Sequence, residues 1–160
     1  MDNDALDRIS DIVTSADVAM LTTEGGDGSL HARPLAVLQK RFDGTIRFLI
    51  EDPSPKVEEI RTNPRVNVSF ASKAGYLSLA GTARLVEDNA AAIDELWGPA
   101  AEAWFPGGRE DPEIVVLEVL PESAEYWAKT ESGIVAAAKA TKAFFTKEQP
   151  DIGENRVVEF

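Results

Sequence analysis

The sequence predicts a mainly β, α+β fold: antiparallel strands forming a small barrel, with helices at its margins. Three observations carry that expectation. Short apolar segments with period-two alternation recur along the chain, Val66-Asn67-Val68-Ser69-Phe70 being the clearest. Turn-forming clusters rich in Gly, Asp, Asn and Pro separate them at short spacing. Helical periodicity is confined to brief stretches. At 160 residues the chain fits one domain, 1–160, with a C-terminal helix and tail, 133–160, appended. Such a chain buries roughly two thirds of its unfolded surface, enough for a core without disulfides.

Leu6, Ile9, Ile12 and Val13 fall on one helical face, predicting a first helix that ends near Ser15-Ala16. Val18 to Thr23 reads as a buried strand and Glu24-Gly25-Gly26-Asp27-Gly28 as a turn. The strand expected next, Ser29 to Leu38, contains Pro34, which lacks a ladder donor and so calls for an edge or a bulge. After the turn Phe42-Asp43-Gly44 comes a strand over Thr45–Ile50. Asp52-Pro53-Ser54-Pro55 then leads into a helix, Lys56 to Thr62, stopped by Asn63-Pro64. Val66–Phe70 and Tyr76–Val86 are strands, with Gly81 marking a bulge or a close approach. Asp88 to Trp97 is an amphipathic helix and Gly98 to Pro112 a loop. Ile114–Leu120 is a buried strand, Ala124–Trp127 a candidate further one, Gly133–Phe145 an alanine-rich helix and Arg156–Phe160 a terminal strand.

Composition narrows the chemistry. There is no cysteine, which excludes a disulfide framework, a thiolate metal site and thiol redox chemistry. With His31 alone, a histidine-rich metal site or a Ser-His-Asp triad has little support. The acidic N-terminus lacks the pattern of a secretory signal and no apolar run reaches membrane-spanning length, so a soluble, cytoplasmic protein is expected. A net charge of -12 argues against nucleic acid and anionic membranes as partners. The charge is uneven, however. Arg33 to Arg84 holds 9 Lys/Arg against 5 Asp/Glu, a local +4.

Within that basic stretch, Ser54-Pro55-Lys56 stands where a strand gives way to a helix. Free backbone N–H groups and the positive end of the helix dipole favour an anion there, and Lys56 adds a full charge. A capping serine beside a solvated lysine is the plainer alternative. Arg33 has no evident core role in its strand and cannot shed its charge. If the second and third strands pair antiparallel through the Lys40–Asp43 turn, Arg33 and the Pro55 helix converge on one phosphate cradle. Trp97 belongs to the core, whereas Trp104-Phe105 in a Pro/Gly-rich loop and Trp127 at a strand end are candidates for stacking on a planar ring or closing a dimer contact. His31 reads as a surface residue, with a ligand contact as the lesser option. Glu58-Glu59 read as solvated helix charges. No P-loop and no Gly-x-Gly-x-x-Gly fingerprint is present.

Taken in order, MLTTEGGDGSLHARPLAV, IRFLIEDPSPKVEEIRTNPRVNVSF, YLSLAGTARLVED, DELWGPAAEAWFPGGREDPEIVVLEVLPESAEYW and TKEQPDIGENRVVEF cover nearly the whole chain. Their order resembles the pyridoxamine 5'-phosphate oxidase-like flavoproteins, and within them the general stress protein 26 group. The resemblance implies an FMN-binding split β-barrel, working as a homodimer with the flavin at the subunit interface. It implies that Arg33, Ser54, Pro55 and Lys56 hold the FMN phosphate, that the backbones of Pro34-Leu35 and Leu49-Ile50 run along the flavin, and that Trp127 approaches the ring from the partner subunit. Trp104 and Phe105 match a motif of the stress-protein subgroup. The basic Arg-x-His-x-Arg segment of true vitamin oxidases is replaced here by Ala128-Lys129-Thr130-Glu131-Ser132-Gly133, which counts against that activity. The expected function is a flavin-dependent oxidoreductase with a stress-related role, acting on a small-molecule electron donor or acceptor. A flavin holder without turnover, or a related deazaflavin or haem binder, is the alternative.

Overall fold

The computed structural model describes residues 3–86, 90–128 and 154–160. The elements run α1 (Asn3–Thr14), β1 (Val18–Glu24), β2 (Leu30–Ala36), β3 (Ile46–Glu51), α2 (Pro55–Thr62), β4 (Arg65–Ala71), β5 (Gly75–Leu85), α3 (Ala90–Leu96), α4 (Pro99–Trp104), β6 (Ile114–Ala128) and β7 (Glu154–Glu159). All strand pairings are antiparallel, in the order β2-β1-β4-β5-β6-β3, with β7 also on β6. The sheet is not closed: β2 and β3 are its two ends, and each keeps one unpaired edge.

Alternation sets the core. Ala19, Leu21 and Thr23 of β1, Val66, Val68 and Phe70 of β4, and Leu77, Leu79 and Ala83 of β5 are buried on one face. Helix α1 lays Ala5, Ile9, Ile12 and Val13 onto the same core, at the spacing its sequence shows. Each fully buried Ile or Leu there contributes about 2 kcal/mol. A second, smaller cluster lies behind β3, where Leu49, Ile114 and Val116 meet Ile93 and Leu96 of α3 and Ala101 of α4.

The expected pairing of β2 with β3 is overturned. The two strands sit at opposite ends of the strand order, joined by a loop that the buried Gln39 side chain closes. Its Nε2 donates to the Arg41 and Thr45 carbonyls at 2.6 and 2.8 Å, and its Oε1 accepts the Arg47 N–H at 3.0 Å. One amide thus satisfies the loop backbone that a hairpin would have paired. Pro34 does lie on an edge strand, opposite Met20.

Three further boundaries differ from expectation. The stretch read as loop from Gly98 contains α4, because Pro99 at the first helical turn after extended Gly98 and the alanines that follow favour a helix. Ile114–Ala128 is one strand, not two. It carries one extra residue, Glu122, opposite the Ala80–Gly81 step of β5, where a Cβ on Gly81 would run into the Leu120 carbonyl oxygen. The terminal strand begins at Glu154, two residues before the expected Arg156. The helix expected over Gly133–Phe145 and the segment Lys129–Gly133 lie outside the described residues.

Candidate functional site

The site forms where α2 crosses the inner face of the β1–β2 hairpin. Thr23 faces His31 and Leu21 faces Arg33 across that pair. Since Leu21 and Thr23 point inward, so do Arg33 and His31, toward α2. There Glu59 collects them. Arg33 Nη1 and Nη2 donate to Glu59 Oε2 and Oε1 at 2.8 and 3.1 Å, a two-pronged pair that suits the guanidinium fork. Thr23 donates its hydroxyl to Oε2 at 2.6 Å and accepts Arg33 Nη1 at 2.8 Å. His31 Nδ1 lies 2.8 Å from Oε1.

Arg33, and then Thr23 and His31, hold the Glu59 carboxyl down to about 2. Glu59 was expected to be a solvated helix charge. Its side chain is instead only 15% exposed, because α2 turns that face against β1 and β2. The sequence signal was present: in Leu30-His31-Ala32-Arg33-Pro34-Leu35, alternation puts His31 and Arg33 on the face of Leu35.

One turn back along α2, Ser54 is the N-cap in extended conformation, with Pro55 at the first helical position. Its hydroxyl oxygen is buried, yet makes no capping bond and has no hydrogen-bond partner among the described residues. This departs from the plain capping serine, since a buried hydroxyl left unsatisfied costs about 1–3 kcal/mol. Lys56 is half-buried. Burial pushes its ammonium below the usual lysine range, Glu51 pulls it up and Arg33 pushes it down. Arg33 reaches α2 through Glu59, and Ser54-Pro55-Lys56 stands at the start of that same helix; the β2–β3 hairpin through which the two were to converge is not formed.

The backbones of Pro34-Leu35 and Leu49-Ile50 occupy the two end strands. The side chains of Leu49 and Ile50 are buried in the smaller and the larger cluster respectively, so only their main chain is left for a ligand. The aromatics do not join the cradle. Trp127 is 39% exposed and lines a recess of about 350 Å³ with Val18, Met20, Ser69 and Tyr76 on the outer face of the sheet. Phe105 packs on Trp97 at 6.4 Å beside the smaller cluster, which gives it a structural role, while Trp104 is 61% exposed.

Comparison with known proteins agrees with this architecture. The family model described as pyridoxamine 5'-phosphate oxidase like matches residues 4–151. General stress protein 26 of Bacillus subtilis is 30% identical over 125 residues, 74% of this chain and 85% of that protein. Protein bli-3 of Neurospora crassa is 24% identical over 165 residues, 96% of this chain and 78% of that protein. Among solved structures, a protein of Jannaschia sp. CCS1 assigned as general stress protein 26 superposes with a TM-score of 0.79 at 26% identity, covering 99% of this chain and 100% of that one. A general stress FMN/FAD binding protein of Xanthomonas citri gives 0.68 at 27% identity, over 82% and 93%. With the open antiparallel sheet, its flanking helices and a family match spanning most of its length, this chain belongs to the pyridoxamine 5'-phosphate oxidase-like family.

Proposed function

We propose that the chain binds flavin mononucleotide, with its phosphate on Ser54, Lys56, Arg33 and the first N–H groups of α2. The observation that carries this is the Ser54 hydroxyl, buried and without a partner among the described residues at the start of a helix whose first turn carries Lys56. A phosphate oxygen supplies the missing acceptor and answers the Lys56 and Arg33 charges. The unpaired edges of β2 and β3 offer main-chain donors and acceptors at Pro34-Leu35 and Leu49-Ile50 for the polar rim of a flavin. The Xanthomonas citri relative, named for FMN/FAD binding, supports the same ligand class.

Bound flavin would supply hydride and one-electron chemistry. The protein supplies binding, orientation and charge, and the finer proposal is a flavin-dependent oxidoreductase of stress-protein type using a small-molecule electron donor or acceptor. Haem is disfavoured, because both ring nitrogens of His31 are engaged, by Glu59 and Ser29.

A second copy of the chain completes the proposed site. Met20, Ser69, Ser78, Glu125 and Val157 form one cross-strand row, and Tyr76 and Trp127 stand beside it on the same outer face. The exposed apolar side chains of this face, Val18, Met20, Tyr76, Trp127 and Val157, fit a homodimer in which the Trp127 indole walls the partner's flavin.

FMN and riboflavin titrations test the ligand assignment by quenching of flavin fluorescence. FMN should bind more tightly than riboflavin. An Arg33→Ala/Lys56→Ala double variant should lose at least about a hundredfold in FMN affinity, two charge-assisted contacts, and nothing for riboflavin. Equal loss for both flavins would put the phosphate elsewhere.

A further inference from the structure

His31 is the one titratable member of the Glu59 cluster, beside Glu59 itself and Arg33, with no place in the phosphate cradle. It is 44% exposed, at the end of the β1–β2 hairpin. Its two ring nitrogens face acceptors. The Glu59 carboxylate, 2.8 Å from Nδ1, only accepts. Ser29 donates its hydroxyl to Asp27 Oδ1, which also accepts the Ser29 backbone N–H at 3.0 Å, and so offers its oxygen as an acceptor 3.2 Å from Nε2. A ring with a proton on each nitrogen makes both contacts, and a ring with one proton makes one of them.

The charges facing His31 are Asp27 from the turn, Glu59 from α2 and Arg33 from its own strand. Glu24 of β1 is turned to Asn63 Nδ2 at 2.9 Å. With the ring charged, Glu59 is counter-ion to two cations, Arg33 and His31. With the ring neutral, Glu59 is counter-ion to Arg33 alone, and the surroundings of α2 carry one positive charge fewer.

We propose that His31 is a proton-sensitive positioning residue of the anion cradle: charged, it shares Glu59 with Arg33 and leaves the cradle one positive charge richer, so that a phosphate monoester gains affinity from a protonated His31 that a residue without that proton does not supply. This rests on the phosphate site proposed above. Linkage makes the effect reciprocal. Phosphate binding must raise the affinity of His31 for its proton by the same factor.

Because His31 is the only histidine of the chain, its Cε1–H proton resonance titrates alone. The test follows that resonance from about pH 5.5 to about 8.5, the imidazole window, with no ligand, with FMN and with riboflavin. FMN should move the midpoint to higher pH and riboflavin should leave it in place. In parallel, FMN affinity is measured across the same range for the wild-type chain and His31→Gln. The phosphate's own ionisation is common to both, so the wild type should gain about fivefold over the variant toward acid. Parallel affinity profiles and an unmoved midpoint, with FMN still tighter than riboflavin, overturn the role of His31 and leave the cradle standing. FMN no tighter than riboflavin at any pH overturns both.

Discussion

Ser54 carries opposite consequences for folding and for binding, and these can be measured separately. Its hydroxyl is buried at the start of α2 without a partner among the described residues, so Ser54→Ala removes an unsatisfied group and should leave stability unchanged or raised by about 1 kcal/mol. A capping serine would behave the other way, losing about 1 kcal/mol on the same change. For FMN the substitution should cost about tenfold, since the phosphate loses one donor. Urea melts of the ligand-free protein beside an FMN titration report both signs. A destabilised Ser54→Ala with undiminished FMN affinity would return the residue to capping.

Glu59 makes a second prediction. Its carboxyl sits at about 2 in the fold against an ordinary 4.5, through Arg33 first and then Thr23 and His31. A depressed carboxyl stabilises the fold fully above its unfolded value and loses that contribution as pH falls through its folded one. The wild type should therefore lose an increment on the order of 1 kcal/mol, after solvent screening, between about pH 5 and about pH 2. Glu59→Gln has no such carboxyl. The gap between the two proteins in urea melts should be flat near neutrality and close in acid; a gap that persists at low pH would mean that packing, not charge, makes the difference.

Among the elements, β5 and β6 show what local pattern can and cannot specify. Gly81 stood out because a glycine inside a β pattern has no side chain to pack, and the structure puts it at the register shift against Leu120. Gly81→Ala drives a Cβ into a carbonyl oxygen that belongs to the backbone of a paired strand and cannot swing away. It should cost about 2 kcal/mol, visible as a lowered urea midpoint with an unchanged m-value. The strands themselves were legible from alternation. The neighbour of β2 was not, because alternation fixes which side chains face inward and says nothing of which strand lies alongside. That choice was made in the loop, by the buried amide of Gln39, a residue with no distinguishing pattern around it. The cradle shows the same division. Ser54-Pro55-Lys56 could be read from its place at a strand-to-helix junction. Glu59 could not be separated from Glu58 until the rotation of α2 turned one to Arg33 and left the other beside Arg61.

For the molecule as a whole, Trp127 and the proposed cradle lie on opposite sides of the sheet, and the proposed second copy is what would bring the two together. Arg33 reaches Glu59 of α2 and Lys56 stands in the first turn of that helix, while Trp127 projects from the opposite, outer face of the same sheet. A single chain thus presents an anion site with no aromatic wall and an aromatic wall with no anion site. The outer face is also rich in apolar side chains for a surface of a chain carrying a net charge of -12, with Tyr76 51% exposed beside Trp127, Met20 and Val18. Tyr76→Glu tests the connection. In an isolated chain a charge at so exposed a position costs little stability. In a dimer that covers the face, it buries an unpaired carboxylate, which costs several kcal/mol and weakens association by orders of magnitude. Sedimentation should find the wild type at twice the 17.3 kDa chain mass and Tyr76→Glu at the single mass, with thermal unfolding at the monomer's own midpoint still cooperative. FMN affinity should fall in the variant although Tyr76 touches no part of the phosphate cradle. A wild type that sediments as a monomer, or a Tyr76→Glu dimer with unaltered FMN binding, would confine the site to one chain and leave Trp127 outside it.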